Sequence, residues 1–132
     1  MELVSILIVD DEKEFASSLS KVLARRGFQV ETALSGQEAL ELLGRRSFQV
    51  ALLDVKMPGQ DGLALLKIFQ ERAPAMAVIL MTGHISPEEE LSGKAVGAFA
   101  YLLKPHPIPQ LVELIQKAAK ATGPSCKKGQ GS

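Results

Sequence analysis

Four places in this chain set reactive side chains at the end of an apolar run. Residues 3–9 stop at Asp10-Asp11-Glu12, residues 48–53 stop at Asp54, residues 77–81 stop at Thr82-Gly83, and residues 99–103 stop at Lys104-Pro105. Apolar runs without polar alternation suit strands covered on both faces, as in a parallel sheet. Ligands of open parallel sheets bind outside the carboxyl ends of the strands, so acids, hydroxyl and ammonium would all open onto one rim. Three carboxylates there, from Asp10, Asp11 and Asp54, repel one another, and a divalent cation is the cheapest relief. Oxygen donors without Cys or His in ligand spacing favour Mg²⁺ over zinc. With Thr82 and Lys104 beyond them, the set could stabilise the equatorial oxygens of a phosphoryl group in transit. Taken singly, each residue has an ordinary role: the aspartates as caps of following helices, Thr82 as strand-end chemistry, Lys104 as a solvated lysine. Their joint occurrence at the ends of different strands is what points to chemistry.

The elements that must position these residues follow from periodicity. Phe15, Leu19, Val22 and Leu23 share one face of a helix over 12–26, and Gly27 stops it. Residues 28–33 alternate apolar with polar, which suits the edge of a sheet. Ser35 and Glu38 have the form of a capping box ahead of a second helix carrying Ala39, Leu40 and Leu43. A third helix over 61–72 has Leu63, Leu66 and Phe69 on one face, and Pro74 marks its end. Ser86-Pro87-Glu88-Glu89 starts a fourth over 87–96, with a thin apolar face, and Leu111, Val112, Ile115, Ala118 and Ala119 give a last one over 109–121. Five strands alternating with five helices predict right-handed βαβ units around one parallel sheet. The strands at 3–9, 48–53 and 77–81 should be central, with 28–33 and 99–103 at the edges.

Composition narrows the function classes. A chain of 132 residues that is 46% hydrophobic fits one domain with a real core, expected over 1–121. Residues 122–132 lack periodicity and are expected to be a disordered tail or linker. Fifteen basic against fifteen acidic residues remove the electrostatic argument for direct binding of nucleic acid or membrane. The single Cys126 excludes an internal disulfide framework, and no signal peptide or membrane-length apolar span is evident, so a cytoplasmic protein is expected.

Ile8-Val9-Asp10-Asp11-Glu12, Leu53-Asp54-Val55-Lys56-Met57-Pro58-Gly59, Met81-Thr82-Gly83, and Gly97-Ala98 with Tyr101-Leu102-Leu103-Lys104-Pro105 resemble the receiver domains of two-component response regulators. The resemblance runs from residue 3 to about residue 121, with four motifs agreeing in order and strand position. It implies a three-layer, flavodoxin-like (βα)5 domain with sheet order 2-1-3-4-5. It also implies a phosphoryl group received on Asp54 from a histidine kinase or histidine phosphotransfer protein, with Mg²⁺ as cofactor. Asp11 matches the direct metal ligand, Asp10 the acid that holds the ion through water, and Lys56 the residue whose backbone carbonyl completes the site. Thr82 matches the hydroxyl that follows the phosphoryl oxygen, Lys104 its ammonium partner, Tyr101 the aromatic switch and Pro105 a cis-proline. Such a domain is a signalling phosphoacceptor rather than a turnover enzyme. It signals to an effector or fused output domain through the surface of the fourth helix, fifth strand and last helix, which is also a route to a homodimer.

Two features depart from the family pattern. His106-Pro107-Ile108-Pro109 follows Lys104-Pro105 where an apolar residue is usual, and Lys56 and His84 occupy positions that tune phosphoryl lifetime. Two other classes stay open. An aspartyl-phosphate phosphatase would need a second acid two residues after the nucleophile, where Lys56 stands, and a non-phosphorylated pseudo-receiver would not need the full set of acids, hydroxyl and lysine. No Gly-rich nucleotide fingerprint follows the first strand.

Overall fold

The computed structural model describes residues 4–57, 60–83, 97–103 and 107–121. The principal sheet contains β1 (Ser5–Val9), β2 (Gln29–Ala33), β3 (Val50–Asp54), β6 (Ala77–Thr82) and β7 (Ala100–Leu103), all parallel, in the order β2-β1-β3-β6-β7. Counted along the chain, these five give the order 2-1-3-4-5 expected from the sequence. Between β3 and β6 lies a separate antiparallel pair, β4 (Lys56–Met57) and β5 (Gln60–Asp61). The sequence alone suggests a loop here; Pro58 and Gly59, between the two short strands in the chain, lie outside the described residues.

The described helices are α1 (Lys13–Arg25), α2 (Gly36–Leu43), α3 (Gly62–Arg72) and the last helix (Ile108–Ala121). The fourth helix expected at 87–96, and the tail expected at 122–132, lie outside the described residues. Alternate residues along the central strands divide the core in two. Ile6, Ile8, Val50, Leu52, Ile79 and Met81 pack with α1 and the last helix, while Leu7, Val9, Ala51, Leu53, Val78 and Leu80 pack with α2 and α3. The strands therefore carry continuous apolar sequence because both faces are covered. Each fully buried Leu or Ile stabilises the fold by roughly 1.5–3 kcal/mol.

Local chemistry fixes the element ends. At the end of α1, the Gly27 amide donates to the carbonyl of Ala24 (3.0 Å) and the Phe28 amide to that of Leu23 (3.3 Å), with Gly27 at φ +96°. Leu23 and Phe28 are buried in the same cluster, so the turn that ends the helix also seals its apolar face. At α2 the Ser35 hydroxyl accepts from the Glu38 amide (3.2 Å), as expected, but the Glu38 carboxylate accepts from the Leu34 amide (2.8 Å) rather than that of Ser35. The reciprocal half of the box is displaced by one residue. In α3 the expected face holds, with Leu66 and Phe69 buried and Leu63 half-buried against the same cluster, and it widens to include Gly62 and Leu65.

Open space surrounds the Cα of Gly27, and a Gly27→Ala change meets no steric obstacle, only the left-handed backbone. It should lower unfolding stability by about 1 kcal/mol, seen as a lower urea midpoint at unchanged slope. An unaltered midpoint would refute this account of the helix end.

Candidate functional site

The parallel register of β1 and β3 builds the site. Val9 stands opposite Leu53, so the next residues, Asp10 and Asp54, emerge from neighbouring strands at the same level. Asp10 is wholly buried and Asp54 is 4% exposed; they are the only buried polar or charged side chains among the described residues. The backbone ladder continues around both. The Asp10 amide donates to the carbonyl of Ala33 in β2 (3.0 Å), and the Val55 amide donates to that of Met81 in β6 (2.9 Å).

Carboxylate oxygens of Asp10, Glu12 and Asp54 all lie within 4.8 Å of one another. Carboxylates gathered this closely repel one another when charged, more strongly where burial keeps water away. One oxygen of Asp10, Oδ1, accepts the Glu12 amide (2.9 Å) and fixes the turn into α1. The ordinary local role of Asp10 is thus real, and it coexists with membership of the acid group. That same turn carries Glu12 back over Asp54. Glu12 is the member of the group that strand-end position does not single out; its place two residues beyond Asp10 is the signal for it. Asp11 is exposed and falls outside the group of three.

Thr82 ends β6, paired by its backbone with Leu103 of β7. Tyr101 is buried at 8% exposure in the cluster that holds Val55, Val78 and Leu80. Lys56 begins β4, its backbone paired with Asp61. Lys104, Pro105, His84, His106 and Cys126 lie outside the described residues. The donor set at the rim is entirely hard oxygen, two carboxylates buried and one exposed. That chemistry fits a divalent cation of the Mg²⁺ or Ca²⁺ kind, which would offset the repulsion.

The sheet order and the acid group at the strand ends define a doubly wound α/β domain with its site where ligands of such sheets bind. The chain belongs to the response regulator receiver domain family, whose model matches residues 6–116. It is 40% identical over 113 residues to the DNA-binding transcriptional regulator NtrC of Escherichia coli (strain K12), covering 86% of this chain and 24% of NtrC. It is 32% identical over 124 residues to a putative NtrX-like response regulator of Rickettsia bellii, covering 92% of this chain and 26% of the relative. The chain thus spans about a quarter of the length of these curated relatives. Among solved structures, a CheY-like receiver domain protein from Methanospirillum hungatei JF-1 matches at a TM-score of 0.87 and 33% identity, over 92% of this chain and 97% of that one. A response regulator from Burkholderia pseudomallei, solved with a phosphorylated aspartic acid and a calcium ion, matches at 0.82 and 29%, over 89% of this chain and 69% of that one. Among the described residues no helix is long and apolar enough to cross a membrane.

Neutralising one of the buried acids should relieve the repulsion. Asp54→Asn is expected to raise unfolding stability in chelator by about 1 kcal/mol, a rise in Tm of a few degrees, with the gain shrinking as Mg²⁺ stabilises the parent. A parent and variant with equal Tm in chelator would contradict the electrostatic account.

Proposed function

We propose that this domain accepts a phosphoryl group on Asp54 from a phosphohistidine of a kinase or phosphotransfer protein and signals by a shift between two conformations. The observation that carries the reading is the buried Asp54 carboxylate held beside Asp10 and Glu12 at the carboxyl ends of β1 and β3. The phosphorylated aspartic acid and calcium ion in the Burkholderia regulator support it.

In this mechanism an Asp54 oxygen attacks phosphorus in line, the bond from phosphorus to the donor imidazole nitrogen breaks, and the imidazole keeps the electron pair. Asp10, Asp11 and Asp54, with the backbone carbonyl of Lys56, would hold Mg²⁺, and Glu12 would offer a further carboxylate. The ion supplies charge neutralisation for the attacking carboxylate and the phosphoryl oxygens. Lys104 would pair with a phosphoryl oxygen, its Lys104-Pro105 bond in the cis form, and Thr82 would donate its hydroxyl to another. Burial of Asp10 and Asp54 keeps the acyl phosphate from water on the protein side.

Tyr101 is buried in the cluster with Val55 and Leu80, and its switching would be a shift between two populated states. The responding surface would be that of the fourth helix, β7 and the last helix, for an effector or output domain, or for a second copy in a homodimer. On this reading residues 1–121 form the receiver and 122–132 a tail or linker, in a cytoplasmic protein acting as phosphoacceptor rather than turnover enzyme.

Incubation with a small-molecule phosphodonor and Mg²⁺ tests the reading by intact mass. The parent should gain one phosphoryl group, Asp54→Asn none, and Lys104→Ala a slower gain by about a hundredfold, the loss expected on removing a transition-state charge partner. Undiminished labelling of Asp54→Asn would overturn the assignment, and sustained turnover of a phosphomonoester would move the domain to the phosphatase class.

A further inference from the structure

Val55, the residue that follows Asp54, has its backbone held from two sides, and one side requires glycine. A side chain at Gly62, the first residue of α3, would place its Cβ 2.6 Å from the Cα of Val55, 2.7 Å from its carbonyl oxygen and 3.0 Å from its carbonyl carbon. These are backbone atoms, and no rotamer change relieves them. Real Cβ atoms essentially never approach other atoms that closely, so any larger residue forces apart the start of α3 and the Val55 backbone. From the other side the Val55 amide is bonded to the Met81 carbonyl of β6. Immediately beyond, Lys56 and Met57 are held in the hairpin against Asp61 and Gln60, the residues that lead into Gly62.

The hairpin therefore closes a loop from the acceptor strand to the start of α3, and the missing Cβ of Gly62 lets its two ends touch. We infer that Gly62 is a positioning residue: by admitting the Val55 backbone it sets the orientation of the Val55–Lys56 peptide beside Asp54, and with it the geometry of the cation site. This inference rests on the phosphoacceptor reading only for the consequence to labelling. Its consequence for cation binding is read separately.

The experiment measures Mg²⁺ affinity by calorimetry without phosphodonor, and labelling of Asp54 as a function of Mg²⁺, in the whole chain. Gly62→Ala should keep the parent's circular dichroism, weaken Mg²⁺ binding by about tenfold, as outer-shell changes do at metal sites, and slow labelling chiefly at limiting Mg²⁺, with recovery at saturation. Two controls should leave Mg²⁺ affinity unchanged. In Gly44→Ala the added Cβ meets only ordinary contacts of 3.4 and 3.7 Å, and Ile115→Val lowers stability from the opposite face of the sheet.

Wild-type affinity in a folded Gly62→Ala protein would overturn the inference, as would an equal loss in either control. Should Gly62→Ala fail to fold, Gln60→Pro decides. It removes an amide from the strand paired with Met57 without adding bulk at Gly62, and it too must weaken Mg²⁺ binding for the inference to stand. A parent that binds Mg²⁺ but takes no label would sink the phosphoacceptor reading while calorimetry still judges Gly62. A parent that binds no Mg²⁺ would sink both.

Discussion

Buried negative charge at the tips of β1 and β3 is the constraint on which the rest of the structure depends. Two carboxylates side by side in a low-dielectric setting are individually unfavourable, and water cannot reach in to separate them. They stay together because the strands that carry them cannot move apart. β1 is paired along its length with β2 and β3, β3 with β1 and β6, and the core clusters press on both faces. The apolar burial that holds the sheet together therefore also holds the site in a state that attracts positive charge. A cation is the natural complement of this arrangement, and a group that changes charge at Asp54 would alter a balance the fold itself maintains.

Much of this was legible in the sequence because the signals are of the kind that survive without tertiary information. Runs such as ILIV and ALL could be read as strands buried on both faces and the alternation in QVETA as an edge, which separated central strands from edge strands, while the full order 2-1-3-4-5 followed from the family resemblance. Gly27 and Ser35 ended and began helices where expected, since a left-handed turn and an N-cap are local chemistry. What escaped was set by contacts across the chain. How far the buried face of α3 extends depends on what it packs against, so Leu65 is buried beside Leu66 and Phe69 while Leu63 packs half-buried on the same cluster. The partner of the Glu38 carboxylate depends on how the chain enters α2, and that made the Leu34 amide the donor. Glu12 joins the acids only because Asp10 binds its amide and turns the backbone. The need for glycine at position 62 is invisible until Val55 is seen lying against it.

The connections around Asp54 also suggest how a local event could travel. Val55 follows Asp54 and is bonded through its amide to Met81, the residue before Thr82. Thr82 is paired with Leu103, and Leu80 with Tyr101, on the edge strand β7. Val55, Leu80 and Tyr101 pack in one cluster, so the residue after Asp54, the strand that ends at Thr82 and the aromatic residue share a single packed body. On the proposed mechanism, movement of Thr82 toward a phosphoryl group acts at the end of a strand whose neighbour carries Tyr101, and close packing converts a small displacement there into a choice between side-chain positions. On the proposed mechanism a Val55 backbone held between the Met81 carbonyl and Gly62 limits local relaxation beside Asp54, which favours passing a change there to the neighbouring strands β6 and β7.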